Sequence, residues 1–175
     1  MKPAKVLFQP GSETDAQWHV EGLRAHERFG EPYEITVALR TDDRSAEPAA
    51  LLGQPATVII ERDALHQELS GIVERVEEGH GSDHALHATV TLVPALAALR
   101  HRRTSRIFQE LTIPQILEQV LGQGLAPYGR RIEISELAAD YPPQELTVQY
   151  RETDFDFAHR LMEENGIGYR FTSEG

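Results

Sequence analysis

Three histidines around residue 84 are the first side chains whose types suggest chemistry. His80, His84 and His87 lie close to Asp83 in the sequence, and imidazole and carboxylate groups are common zinc ligands. On a strand, residues three apart point to opposite faces, so His84 and His87 face one ion only if the chain departs from strand geometry. We therefore expect solvent-exposed histidines here, with no metal site and no cofactor.

Four carboxylates form a second candidate, for acid/base catalysis. Asp154, Asp156, Glu163 and Glu164 surround a predicted helix, and paired carboxylates can act as general acid and base. Asp154 and Asp156 fall in the first turn, where the helix dipole favours negative charge. The sequence also contains no GxSxG, GxxxxGK or HExxH motif and no cysteine. We therefore predict no catalytic residues and no enzymatic activity.

The segment RHRRTSR, residues 100–106, is a dense positive patch in a chain whose formal net charge is −11. Two interpretations are open: a solvated helix end, or a contact to an acidic partner or neighbouring subunit, because clustered arginines suit bidentate pairing with carboxylates. Four arginines in seven residues are too many to bury, so we expect them to act through association and not through folding. The candidate contact residues are Arg100, Arg102, Arg103 and Arg106.

The composition of the 175 residues, 40% hydrophobic and 26% charged, is that of an ordinary folded domain. The negative net charge argues against nucleic-acid binding, since phosphate contacts need a basic surface. The N-terminus lacks an apolar stretch long enough for a signal peptide, and no window reaches the ~20 apolar residues of a membrane span. We expect cytoplasmic folding and assembly, without a signal peptide or a membrane-spanning segment, and any export by another route.

The first half of the chain reads as short strands separated by turn residues. Apolar and polar residues alternate over residues 34–39, and residues 57–60 form a β-branched run. Residues 69–76 and 84–93 flank a turn-rich stretch, EEGHGSDH, which predicts a hairpin. Residues 41–55 are typical of a loop with one helical turn. Several short strands at this spacing favour a barrel or a sandwich.

The second half mixes helices with strands. Residues 95–100 form a short helix candidate, and Thr112 with Gln115 predicts a capping box for a helix that Gly122 or Gly124 can end. Short strands are expected at residues 131–134 and 146–150. The fold class is therefore α+β, mainly β, with a boundary near residue 100 that gives modules 1–100 and 101–175.

The C-terminal part predicts a second capped helix. Thr153 is its N-cap, and Asn165-Gly166 provides the left-handed stop. Alternating apolar residues over 167–171 then predict a final strand. We expect Phe108, Tyr150 and Phe157 to lie in the core.

Two stretches, residues 104–121 and 141–171, go beyond generic patterns. They resemble the VgrG-type spike proteins of bacterial type VI secretion systems and their phage tail hub relatives, the late control gene D protein family. The matching motif residues are Arg106, Ile107, Phe108, Gln109, Gln149, Tyr150, Arg151, Glu152, Glu163, Glu164, Gly166, Ile167 and Tyr169. A looser similarity extends through residues 51–99.

The resemblance implies a structural role in a contractile injection machine. In that family a homotrimer with two similar barrels per chain forms a ring, which stacks on the hexameric tube protein Hcp and meets the baseplate. Residues 1–100 would be a barrel-like hub module, and residues 101–175 would begin a second, truncated one, because the family's OB-fold and needle have no counterpart in these residues. The alternative is the tail hub of a phage or pyocin-like particle.

Overall fold

The computed structural model describes residues 4–11, 16–80, 84–137 and 139–172. The chain divides into two compact units, Met1–Pro94 and Ala95–Gly175. Among the described residues, no helix is long and apolar enough to cross a membrane.

The first unit is a closed antiparallel barrel. Its strands are β1 (Lys5–Pro10), β2 (His19–His26), β3 (Glu34–Thr41), β4 (Pro55–Arg62), β5 (Leu65–His80) and β6 (Leu86–Val93). They follow the order β1-β2-β3-β6-β5-β4 around the barrel. A 3₁₀ turn, Pro48–Leu51, interrupts the loop before β4, as predicted. The barrel expected for the first half is confirmed.

The barrel core comes from the alternation seen in the sequence. Along β3 the residues Ile35, Val37 and Leu39 are buried while their neighbours are part-exposed, because successive side chains on a strand point to opposite faces. Gly71 on β5 allows a close approach, since a Cβ atom there would lie 2.8 Å from the carbonyl oxygen of Val93. The tip of the β5–β6 hairpin, residues 81–83, lies outside the described residues.

The second unit mixes short helices with a two-stranded sheet. Its elements are α1 (Ala95–Ala98), a 3₁₀ turn (Leu99–His101), β7 (Arg103–Phe108), α2 (Ile113–Leu125), a second 3₁₀ turn (Ala126–Tyr128), β8 (Thr147–Thr153) and α3 (Asp154–Glu164). Strands β7 and β8 pair antiparallel, with a register shift between Thr104 and Arg106. Together the two units confirm the α+β, mainly β fold class.

The predicted helix ends are largely confirmed. Thr112 Oγ1 accepts from the amide of Gln115, and the Gln115 side chain accepts from the amide of Thr112, which completes the capping box. Thr153 is likewise the N-cap residue of α3. At the other end of α3, Gly166 has φ +64°, and the amide of Ile167 donates to the carbonyl of Met162 at 2.8 Å, as in a Schellman stop.

The predicted end of α2 is wrong. The helix continues through Gly122 and Gly124 to Leu125, and a left-handed residue follows only at Gly129, with φ +65°. Gly124 has a packing role instead, because a Cβ atom there would lie 2.6 Å from Cδ2 of the buried Leu99. A glycine in a helix can mark a close approach as well as an end.

Two predicted strands are also wrong. Residues 131–134 and 167–171 are irregular, and neither pairs with β7 or β8 in the described part of the chain. Alternation of apolar residues makes a strand only when a neighbouring strand actually pairs with the backbone groups of the segment. Tyr169 is held by its side chain instead, since its hydroxyl lies 2.9 Å from Nε2 of His159.

Candidate functional site

The histidine and acid/base candidates are not brought together as a reactive centre in the described residues. No group of three or more metal-ligating side chains is found there. The side chain of His80 and all of Asp83 lie outside the described residues, and Nδ1 of His87 lies 3.1 Å from a carboxylate oxygen of Glu21. Asp156 accepts a 2.6 Å hydrogen bond from the Thr153 hydroxyl, as part of the helix cap.

Asp154 is the centre of a cluster of hydrogen-bonded polar side chains in the second unit. Its side chain is 0% exposed, and three side chains donate to its carboxylate. Nη2 of Arg106 and Nε2 of Gln149 donate to Oδ1 at 2.5 and 2.9 Å, and Nε of Arg102 donates to Oδ2 at 3.1 Å. A buried carboxylate is tolerated when it is paired and hydrogen-bonded in this way. We call these four residues the Asp154 cluster.

The local fold places each member of the Asp154 cluster. Arg106 on β7 and Gln149 on β8 are direct partners in the sheet register. Asp154 is the first residue of α3, immediately after β8, so the helix dipole adds to the stabilisation of its charge. Arg102 precedes β7, and its carbonyl accepts from the amide of Asp154 at 2.8 Å. The cluster therefore joins both strands to the start of the helix.

A bulge in the sheet lies beside the cluster. Ser105 on β7 faces two residues of β8, Tyr150 and Arg151, at the register shift, and Arg151 has φ +51°. The Ser105 hydroxyl accepts from the amide of Arg151 at 3.1 Å, and Nη1 of Arg103 donates to the Arg151 carbonyl at 2.8 Å. The bulge increases local twist and is stabilised by side chains of β7.

The family-motif residues divide into a buried set and an exposed set. Phe108 is buried and stacks on Phe157 of α3 with 5.7 Å between ring centroids. Glu152 receives two hydrogen bonds from Arg160, at 2.9 and 2.8 Å. The expectation that Tyr150 lies in the core is wrong, because its side chain is 66% exposed. Strand alternation turns Gln149 inward and its neighbour Tyr150 outward.

The ion pair of Glu152 changes its acidity. The hydrogen bond from the Arg160 guanidinium is the main cause that lowers the pKa of Glu152 below its ordinary value of 4.5. The same hydrogen bond raises the pKa of Arg160. Opposite charges in hydrogen-bonding contact favour both ionised forms. This pair ties the end of β8 to the middle of α3.

The arginine run is divided between several roles. Arg102 and Arg106 bind Asp154, and the Arg100 guanidinium lies over the ring of Phe155, 4.1 Å from its centroid. Arg103 is exposed. The expectation that the run acts only through association is therefore wrong for Arg102 and Arg106, which neutralise a buried charge. Sequence reasoning missed this pairing because the partner carboxylate lies about fifty residues away along the chain.

The outer face of the β7–β8 sheet is apolar at one end. Ile107 and Val148 are direct partners in the register and are 68% and 41% exposed, while Leu146 is 56% exposed. Tyr150 lies on the same face, with the guanidinium of Arg151 over its ring at 5.4 Å. Contiguous exposed apolar side chains are typical of a surface that meets another molecule.

Comparison with known protein families gives one match that spans most of the chain. The family of the phage tail baseplate hub (GPD) matches residues 26–175. The matched region includes most of the barrel strands and the whole second unit, and therefore every residue of the Asp154 cluster.

Curated relatives are longer than this chain. The type VI secretion system spike protein VgrG4b of Pseudomonas aeruginosa is 31% identical over an alignment that covers 94% of this chain and 21% of the relative. The actin cross-linking toxin VgrG1 of Vibrio cholerae is 37% identical over 83% of this chain and 13% of the relative. The chain thus spans about a fifth or less of the length of these two relatives.

Among solved structures, the Escherichia coli c3393 protein has a similar fold. The two superpose with a TM-score of 0.77 and 24% identity, over 94% of this chain and 45% of that one. That protein is described as a component of the type VI secretion system with structural similarity to the bacteriophage T4 tail proteins gp27 and gp5. At this identity the likeness concerns the fold.

Proposed function

The chain belongs to the phage tail baseplate hub family, and from this premise we propose that it is the hub part of a type VI secretion spike. The observation that carries the proposal is the family match over residues 26–175, together with spike-protein relatives aligned over most of the chain. Its role is structural: it supports an assembly and performs no chemical reaction. No cofactor or metal is needed for that role.

The geometry of the second unit supports a structural role. The carboxylate of Asp154 accepts hydrogen bonds from two guanidinium groups and one amide, an arrangement that fixes elements in place. A base would need a free lone pair directed at a substrate. The exposed apolar side chains Ile107, Val148 and Tyr150 suit a chain that works in contact with other subunits.

The partners follow from the same proposal. Three copies form a ring that stacks on the hexameric tube protein Hcp and meets the baseplate, with residues 1–100 as one hub module and residues 101–175 as the start of a second. The arginines at positions 100, 102, 103 and 106 are candidates for a partner or subunit contact. The protein assembles in the cytoplasm and is secreted by the machine.

The alternative is a tail hub of a phage or pyocin-like particle. The family description names a phage tail baseplate hub, so the same fold serves such particles. The spike-protein names of the curated relatives favour the secretion system.

The decisive experiment is deletion of the gene in the organism that encodes it, in a strain whose other spike genes have been removed. The expected result is loss of Hcp release into the medium, restored when the gene is returned. Unchanged Hcp release would overturn the proposal. Loss of phage-like particles from the lysate, with Hcp release intact, would establish the alternative.

A further inference from the structure

An open cleft of ≈ 440 Å³ in the second unit is lined mainly by His101, Arg102, Arg103, Arg106, Gln123 and Asp154. It contains three guanidinium groups and a single carboxylate, Asp154, which is buried. The cleft therefore carries an excess positive charge in a chain whose net charge is −11. Such a local excess attracts an anionic group.

The arginines of the cleft have hydrogen-bonding capacity to spare. A guanidinium presents five N–H donors. Arg102 uses Nε for Asp154 and Nη1 for the carbonyl of Gln123, Arg106 uses Nη2 for Asp154, and Arg103 uses Nη1 for the carbonyl of Arg151. Their other N–H groups have no protein acceptor among the described residues. A second oxyanion can accept hydrogen bonds from them without displacing Asp154.

Three residues of β7, namely Arg103, Thr104 and Arg106, line this cleft. Within the described part of the chain β7 pairs only with β8, so its other edge presents unpaired backbone groups. An extended segment can pair with an open strand edge through main-chain hydrogen bonds. The side chains of a segment paired there would lie alongside the β7 residues that line the cleft.

We infer that this cleft binds a carboxylate side chain from an extended acidic segment of a partner protein. The inference rests on the proposed function, because it specifies the chemistry of the partner that meets the arginine run. A protein carboxylate is the expected anion, because the proposed function places this chain in contact with protein partners, and the comparison with inorganic phosphate below tests that choice. Arg100 is not part of the site, because it stacks on Phe155.

The test uses Arg103→Ala, because Arg103 lines the cleft without contacting Asp154. The purified chain is titrated with a peptide that contains four glutamates and, separately, with the same peptide carrying glutamines, while amide and guanidinium resonances are followed by NMR. We expect the glutamate peptide to shift signals of residues 101–106, with an affinity that Arg103→Ala lowers about tenfold and that added salt weakens. The matched control Arg100→Ala should bind like the unmodified chain.

Three results would overturn the inference: equal binding of the glutamine peptide, equal weakening by Arg100→Ala, or tighter binding of inorganic phosphate than of the glutamate peptide. Its failure is separable from that of the proposed function. If Hcp release requires the gene but Arg103→Ala leaves peptide binding unchanged, the spike assignment stands and the carboxylate site does not. If the peptide binds as expected and Hcp release is independent of the gene, the carboxylate site stands and the spike assignment does not.

Discussion

Arg102 and Asp154 are joined twice, once through the backbone and once through their side chains. The amide of Asp154 donates to the carbonyl of Arg102 at 2.8 Å, and Nε of Arg102 donates to Oδ2 of Asp154 at 3.1 Å. The first contact brings the start of α3 to the residue before β7, and the second neutralises the carboxylate that this arrangement buries. Both contacts hold the start of α3 against the residue before β7, so the pair helps to position α3 on the sheet.

Asp154→Asn should lower the free energy of unfolding by about 3 kcal/mol, since removing one member of a buried ion pair leaves the other charges poorly compensated. The amide would also point N–H donors at the guanidinium groups. Denaturation followed by far-UV circular dichroism is the suitable measurement, because the described α-helices all lie in the second unit. Asp140→Asn, at an exposed position, is the matched control. Equal stability of the two variants would contradict a structural role for Asp154.

The arginines of the run should separate into two classes. Arg102→Glu places a carboxylate against the buried Asp154 and should cost about 2–3 kcal/mol of stability. Arg103→Glu changes an exposed charge and removes one exposed hydrogen bond to the Arg151 carbonyl, so it should cost less than about 1 kcal/mol. Thermal unfolding of the two single variants distinguishes these effects. If both melt at the same temperature, the contact of Arg102 with Asp154 contributes nothing to folding.

Phe157→Ala should destabilise the second unit by about 3 kcal/mol or more, as truncation of a buried aromatic usually does. Phe157 is 0% exposed and stacks on Phe108, so the substitution leaves a cavity and removes a ring contact. Phe29→Ala is the control, because Phe29 is 86% exposed. A denaturation midpoint of Phe157→Ala equal to that of the control would show that the assigned face of α3 is wrong.

Two glycines of α2 should respond oppositely to alanine. Gly122→Ala meets nothing within 4 Å and should stabilise the helix by about 0.5–1 kcal/mol through helix propensity. Gly124→Ala puts a methyl group against Leu99 and should destabilise by about 1–3 kcal/mol through overpacking. The measurement is the unfolding free energy of each variant, compared with that of the unmodified chain. Stabilisation by both would mean that Leu99 moves aside readily.

The Glu152–Arg160 pair should make part of the stability depend on pH. Because the pKa of Glu152 is lowered in the folded chain, its contribution is complete above the ordinary value of 4.5 and is lost as the pH falls through the lowered value. Glu152→Gln should therefore be less stable than the unmodified chain at pH 7, with a difference that shrinks below pH 4.5. Unfolding free energies measured between pH 3 and pH 7, with Glu163→Gln as an exposed control, test this. A difference that stays constant with pH would rule out the ion pair as its source.

Local features of the sequence were enough to predict much of the fold. Alternation over residues 34–39 and the β-branched run over residues 57–60 predicted strands of the barrel. The Thr112, Thr153 and Gly166 signals predicted helix ends that the structure confirms. These features depend on neighbours within about four residues, so propensity and capping chemistry already determine them. The motif residues around Arg106 and Gln149 were likewise sufficient to indicate the hub family that the comparison then showed.

Only the tertiary structure decided what those motif residues do. Whether Tyr150 faces the core or the solvent, and whether Gly124 ends a helix or admits Leu99, depends on which strand or side chain packs opposite. The pairing of Arg102 and Arg106 with Asp154 joins residues on opposite sides of a long intervening segment. Local sequence carries no record of such contacts, because the free energy of neutralising a buried charge arises only when the sheet and the helix bring the groups together.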